Sequence, residues 1–199
     1  MKLYYSPASP FSRKARVIAH ELGLKLEEIQ ISSRGNMEFR RINPLGKIPA
    51  LVLDDGSALV DSPVICEYLN SVGGGKFYPG MSIWRPTNGR WKALGLQALG
   101  DGLMEAALGC VYEERLRTPE QRSEAIVANN MSVISSSLDA LERVNFASDP
   151  SIGEITVGCA LSYLDFRITT LDWRATHPKL AAWYEKFSQY PSMLATAPK

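Results

Sequence analysis

Three short stretches of the sequence combine residue types that can do chemistry. The first, Ser6-Pro7-Ala8-Ser9-Pro10-Phe11-Ser12-Arg13-Lys14, lies where an apolar strand-like run hands over to a helical one, with Ser9 at the helix N-cap. Exposed N–H groups and the positive end of the helix dipole favour an anion there, so a thiolate set beside Ser9 would be stabilised. Ser-Pro is also a common way to start a helix, and Ser9 acting only as a cap is the plain alternative. The second stretch is Lys47-Ile48-Pro49, in which a proline at the first residue of a strand can carry a cis bond and present the preceding residue's backbone to a ligand. The third, Asp61-Ser62, sets a carboxylate beside a helix N-terminus. Together these groups can grip an α-amino-acid head group, the carboxylate taking the ammonium and the helix N–H groups taking the carboxyl.

Other chemistries find no support. There is no glycine-rich phosphate loop, no H-E-x-x-H, and no serine with a plausible histidine and acid nearby. The three cysteines, Cys66, Cys110 and Cys159, are widely spaced and form no C-x-x-C, so neither a disulfide framework nor a cysteine metal site is expected. His20 and His177 are far apart with no ligand at metal spacing, and a solvent-facing or capping role is the expectation for each. Lys and Arg together number 22 against 21 Asp and Glu, a balance that gives no electrostatic hold on nucleic acid or an anionic membrane. No apolar run approaches the ~20 residues of a membrane span, and the chain starts on Met1-Lys2-Leu3-Tyr4-Tyr5 without a charged-then-apolar leader, so a non-exported, cytoplasmic protein is expected.

The elements that must position these residues change character near Ser71-Val72-Gly73-Gly74-Gly75 and Tyr78-Pro79-Gly80. Before it, Leu3–Tyr5 reads as a strand, Pro10–Leu22 as a helix ended by Gly23, and Leu26–Ile31 as a strand, an order that implies a right-handed parallel crossover. Ala50–Leu53 and Ser57–Val60 flank Asp54-Asp55-Gly56, a tight hairpin signal. A helix then opens with Ser62 as N-cap and Pro63 at its first position. After the break the pattern is helical: a stripe of Trp91, Leu94, Ala98, Leu99, Leu103, Ala106, Ala107 and Cys110 with Gly95 and Gly102 on it, then helices over 119–144, 157–168 and 178–189. The expected architecture is α/β plus all-α: residues 1–78 a small α/β domain, 79–84 a linker, and 85–199 a helical domain.

Three motifs in this order give the chain its resemblance. Ser6 to Arg16, Asn43-Pro44-Leu45-Gly46-Lys47-Ile48-Pro49-Ala50-Leu51 and Asp61-Ser62-Pro63-Val64-Ile65, with His177 to Tyr184 near the end, resemble the cytosolic glutathione S-transferases of bacterial type over essentially the whole chain. The resemblance implies a thioredoxin-like N-terminal domain with a mixed four-stranded sheet, an all-helical C-terminal domain, and glutathione as cosubstrate with no metal. It implies that Ser9 donates a hydrogen bond to the glutathione thiolate and that Ile48, before a cis Pro49, pairs its backbone with the cysteinyl part. Asp61 and Ser62 would hold the γ-glutamyl head group, and Lys47, with Arg34 or Asn36 as further candidates, would reach the glycyl carboxylate. An electrophile pocket is expected from Ala8, Pro10 and Phe11 with Gly102 and Glu105.

The implied reaction is conjugation of glutathione to a small electrophile, by a homodimer. Two alternatives stand beside it: a non-catalytic adaptor of this fold, which should lack the gripping residues, and a glutathione-dependent reductase or peroxidase, which should have cysteine where Ser9 stands. One departure concerns the helix expected to start near Thr156, where such proteins carry Ser/Thr-x-x-Asp. Here Cys159 replaces the acid, and it is read as a small buried residue.

Overall fold

The computed structural model of the chain describes residues 1–80 and 88–199. It divides into two compact units, Met1–Trp91 together with Pro191–Lys199, and Lys92–Tyr190. The linker expected at 79–84 lies outside the described residues from position 81 onward.

In the first unit, β1 (Lys2–Tyr5), α1 (Pro10–Glu21), β2 (Glu27–Gln30), β3 (Ala50–Val52), β4 (Ala58–Val60) and α2 (Ser62–Val72) follow in that order. The sheet order is β2-β1-β3-β4, with β1 and β2 parallel and β3 antiparallel to both β1 and β4. Parallel neighbours need a crossover, and α1 supplies it. Gly23 ends that crossover helix at φ +64°, a conformation that favours glycine. In the β3–β4 turn the Asp55 carboxylate accepts from the Ser57 N–H at 2.9 Å and the Ser57 hydroxyl at 2.6 Å. These bonds hold its carboxyl below the usual carboxylate range. Leu3, Ile18, Leu51, Ile65, Leu69 and Phe77 are fully buried and form the core of this unit, with α1 packed on α2. The mixed four-stranded sheet with helices and the helical second half are both as expected.

The second unit contains most of α3 (Asn88–Leu116), then α4 (Glu124–Glu142), α5 (Ile152–Arg167), α6 (Trp173–Thr176) and α7 (Pro178–Phe187). α8 (Pro191–Ala195), which periodicity alone leaves with the helical half, groups with the first unit. Three expectations are corrected here. On α3 the expected Leu103, Ala106, Ala107 and Cys110 are buried, joined by Ala93, Gln97, Met104 and Val111, whereas Trp91 is 62% exposed, Ala98 is exposed, and Gly95 and Gly102 have open space around them. Close approach occurs instead at Gly100, where a Cβ would come within 2.9 Å of Thr156. The helix expected over 119–144 is two pieces, because Ser123 accepts from the Ile126 N–H and starts α4 afresh after a short 3-10 turn at Pro119–Gln121.

The third correction concerns the helix expected from Thr156. It begins at Ile152, and its cap is Ser151 with Glu154 as the returning acid. The Ser151 hydroxyl accepts from Gly153 N–H at 3.1 Å, and the buried Glu154 carboxylate accepts from Ser151 N–H at 2.9 Å. Thr156 is fully buried inside the helix, its hydroxyl donating to the Ile152 carbonyl at 2.7 Å. Cys159 therefore replaces no capping acid, and it is fully buried. Glu154→Ala leaves the half-buried Ser151 N–H and hydroxyl without their acceptor, at a cost of about 2 kcal/mol. Thermal unfolding should show a Tm lowered by roughly 4–8 °C for a chain of this size, and a shift under about 1 °C would mean that the cap carries no energy.

Candidate functional site

Sheet register brings the three chemically interesting stretches to one edge. Tyr4 pairs with Ala50 and Ala50 with Val60. The strands end just past these pairs, so Ser6 after β1, Pro49 before β3 and Asp61 after β4 all lie at this one end of the sheet. Strands lie ~4.8 Å apart, so the ends of β1 and β4, with β3 between them, are about 10 Å apart, the reach of a short extended peptide. Tyr5 also pairs with Gln30 in parallel, so the chain toward Arg34 and Asn36 leaves from the same end. This is the carboxyl end of β1, β2 and β4, the side on which open α/β sheets take ligands.

Ser9 is the N-cap of α1, at φ −86° and ψ 120°, and its hydroxyl oxygen accepts from the Ser12 N–H at 3.2 Å. That bond uses a lone pair and leaves the hydroxyl proton available, so capping the helix and donating to an anion are compatible roles. The Ser12 hydroxyl is fully buried and has no partner among the described residues.

The Ile48–Pro49 bond is cis. Asn43, which sequence reasoning quoted without giving it a role, shapes the loop before it. Its buried side chain donates to the Lys47 carbonyl at 2.6 Å and accepts from the Leu45 N–H at 3.0 Å, while Gly46 N–H reaches the Asn43 carbonyl at 2.9 Å. The signal was the Asn-Pro-Leu-Gly sequence itself, an Asn side chain that closes a local turn followed by a glycine at φ +64°. Ile48 lies before the ladder, which begins at Ala50, so strand pairing does not use its backbone groups. Lys47 and Arg34 are exposed. The Asn36 amide oxygen accepts from Phe39 N–H at 2.9 Å and its amide nitrogen donates to the Ser32 carbonyl at 3.3 Å, so it shapes the turn beside Arg34.

At α2 the expected cap moves by one residue. Asp61, not Ser62, is the N-cap, because its carboxylate reaches the next N–H, that of Ser62, at 2.7 Å. Ser62 and Pro63 become the first two helical residues. Asp61 adopts φ +69°, the single positive value outside glycine among the described residues. Such a conformation costs of order 1–3 kcal/mol and tends to persist at ligand sites. The consequence for binding is specific. Ser62 N–H is already taken, and what Ser62 has left is a buried hydroxyl without a partner among the described residues. A buried orphan hydroxyl is a cost that a ligand oxygen or nitrogen would relieve.

Of the residues expected to line an electrophile pocket, Pro10 is buried and Ala8 and Phe11 are half-buried in the first unit. Gly102 and Glu105 belong to the second unit, Glu105 exposed and Gly102 with nothing within 4 Å of where a Cβ would stand. Among the described residues no three His, Cys, Asp or Glu side chains gather as a metal site. His177 is buried between α6 and α7, its Nδ1 2.9 Å from the Trp173 carbonyl and its Nε2 3.2 Å from Asp139. All three cysteines are buried, and desolvation pushes the Cys110 thiol above its ordinary range.

Residues 8–72 match the family model described as glutathione S-transferase, N-terminal domain, and residues 124–186 match glutathione S-transferase, C-terminal domain. The chain belongs to the glutathione S-transferase family. It is 32% identical to the uncharacterized GST-like protein YibF of Escherichia coli, across 100% of this chain and 98% of that protein. A glutathione transferase family member from Pseudomonas fluorescens Pf-5, solved with bound glutathione, is 43% identical with a TM-score of 0.90, covering 100% of this chain and 98% of that one. A second structure from that organism holds S-(propanoic acid)-glutathione; it is also 43% identical, has a TM-score of 0.85 and covers all of both chains. A glutathione S-transferase from Methylobacillus flagellatus KT with glutathione bound is 31% identical, with a TM-score of 0.88 over 100% and 99% of the two chains. The N-terminal match covers the first of the three stretches from Ala8 onward and all of the other two.

Proposed function

We propose that the protein is a glutathione transferase that binds glutathione along the carboxyl edge of its sheet and conjugates it to a small electrophile. The observation that carries this reading is the register, Tyr4 with Ala50 and Ala50 with Val60, which brings the ends of β1 and β4 and the start of β3 together within about 10 Å, with the Ser9 and Asp61 helix caps just beyond them in the chain. In this reading Asp61 takes the γ-glutamyl ammonium and the Ser62 hydroxyl takes its carboxylate. The Ile48 backbone pairs with the cysteinyl unit. Lys47, with Arg34, attracts the glycyl carboxylate. Ser9 donates its hydroxyl proton to the sulfur.

The chemistry follows from the thiol. A thiol of ordinary pKa near 8.5 is mostly protonated at neutral pH, and a donor aimed at the sulfur beside a helix N-terminus favours the thiolate. The proton leaves to solvent, the sulfur forms a C–S bond, and the electrophile either expels its leaving group or takes up a proton. The relative carrying S-(propanoic acid)-glutathione supports this chemistry, since a carbon chain on the glutathione sulfur is the kind of product that conjugation leaves. A redox route through a protein–glutathione mixed disulfide would need a sulfur at position 9, and Ser9 has none. A homodimer in the cytoplasm belongs to the same proposal; no described helix is long and apolar enough to cross a membrane.

Calorimetry tests the first step. Glutathione should bind with a Kd between micromolar and millimolar, about −4 to −8 kcal/mol, because the grips are polar and water competes for each. A folded protein giving no heat at saturating glutathione would overturn the proposal and favour a non-catalytic adaptor.

A further inference from the structure

Arg13 is an unusual resident of α1. It is only 4% exposed, yet no carboxylate bonds it among the described residues. Its Nη2 donates to the Met193 carbonyl at 2.8 Å and its Nε to the Thr196 hydroxyl at 3.3 Å, both in the segment that α8 brings back to the first unit. Nη1 is buried without a partner. The Thr196 hydroxyl is itself held, donating to the Ser192 carbonyl at 2.7 Å, so the acceptor is fixed before the guanidinium reaches it.

A buried guanidinium that bonds only to neutral acceptors keeps its full positive charge, and burial reduces the solvent screening of that charge. Its place along α1 matters. The Arg13 N–H donates to the Ser9 carbonyl at 3.0 Å, the bond that joins the cap to the helix, and residues four apart share a helix face. The group that ties α1 to the C-terminal segment thus sits one turn behind the residue proposed to hold the thiolate.

We propose that Arg13, clamped by Met193 and Thr196, is a positioning residue for the Ser9 site: the C-terminal segment fixes the first turn of α1, and the clamped charge favours an anion at its end. This rests on the proposed function, and its test is built to separate the two. Arg13→Gln removes the charge, Arg13→Lys keeps charge without the fork, and Thr196→Val removes one of the two clamps. Each is compared with the parent in the ultraviolet thiolate absorbance of bound glutathione at fixed pH, in kcat and KM with an activated aryl chloride, and in Tm.

Arg13→Gln should lower the thiolate fraction and kcat about 5- to 20-fold while KM for glutathione stays within about 2-fold, since the head-group grips are untouched. Arg13→Lys should recover part of that loss, and Thr196→Val should lose about 2- to 3-fold in the same direction. A purely structural Arg13 would lower Tm and leave thiolate fraction and kcat at parental values, which overturns the inference. If Arg13→Gln does not fold, Thr196→Val decides by the same readouts. A parent that binds glutathione without ionising it overturns both this inference and the thiolate chemistry of the proposed function. A parent that ionises it, beside variants that do so equally well, removes only the role given to Arg13.

Discussion

Ser9→Ala is expected to slow conjugation by about 10- to 100-fold, the equivalent of the ~1.5–3 kcal/mol of a hydrogen bond to a charged group, while glutathione affinity changes only a few-fold. The same substitution removes a helix cap, so stability should fall by ~1 kcal/mol as well. Ser9→Gly separates the two effects, because glycine caps a helix nearly as well as serine but has no hydroxyl. It should lose conjugation like alanine and keep most of the stability. Ser9→Cys should lose conjugation yet form a mixed disulfide with glutathione, visible as an adduct by mass spectrometry, because a thiol at a helix N-terminus has a lowered pKa. If Ser9→Ala conjugates as fast as the parent, Ser9 is a cap alone. The sulfur's donor then has to be sought among backbone N–H groups or at Ser12, whose buried hydroxyl lacks a partner among the described residues.

Asp61→Asn should weaken glutathione binding by about 1.5–3 kcal/mol, roughly 10- to 100-fold in Kd, with little change in the ionisation of whatever glutathione is bound. Asparagine suits this test for two structural reasons. Its side-chain oxygen can still accept from Ser62 N–H, as Asp61 does at 2.7 Å, and it tolerates the left-handed backbone that φ +69° requires better than most residues. The substitution therefore removes the charge while keeping the cap, and loss of affinity reports the ammonium contact. Equilibrium dialysis at low salt reads it directly. Unchanged affinity would place the head group elsewhere.

Local signals in this sequence were strong enough to read the first unit almost element by element. Asp54-Asp55-Gly56 marks the hairpin, Ser9-Pro10 the start of α1, and Gly23 its end, because each depends on residues within a few positions of one another. The positions of Ser9, Pro49 and Asp61 at one sheet edge follow from that order once the strands pair. What local reading missed was competition between equally good neighbours. Asp61 and Ser62 can both cap, and Asp61 prevails at the expense of a strained φ. Ser151 and Thr156 can both start α5, and Ser151 prevails because Glu154 stands where an acid can turn back to it. Trp91 fits an apolar stripe by spacing yet is exposed, since which side of a helix is covered depends on packing that spacing does not encode. Arg13 gave no signal at all, because its partners Met193 and Thr196 are 180 and 183 residues away.

That separation also has a meaning in time. On a ribosome adding roughly 5–20 residues per second, Met193 is made about 9–36 s after Arg13, a gap of 180 residues. Every other element of the first unit has emerged well before then. During synthesis its sheet can pair and its hairpin can close, but the pocket for the Arg13 guanidinium lacks the atoms that accept from it. The nascent N-terminal half thus carries an unsheltered cation in what will become its core, and it reaches its final packing only when the far end of the chain arrives to cover it.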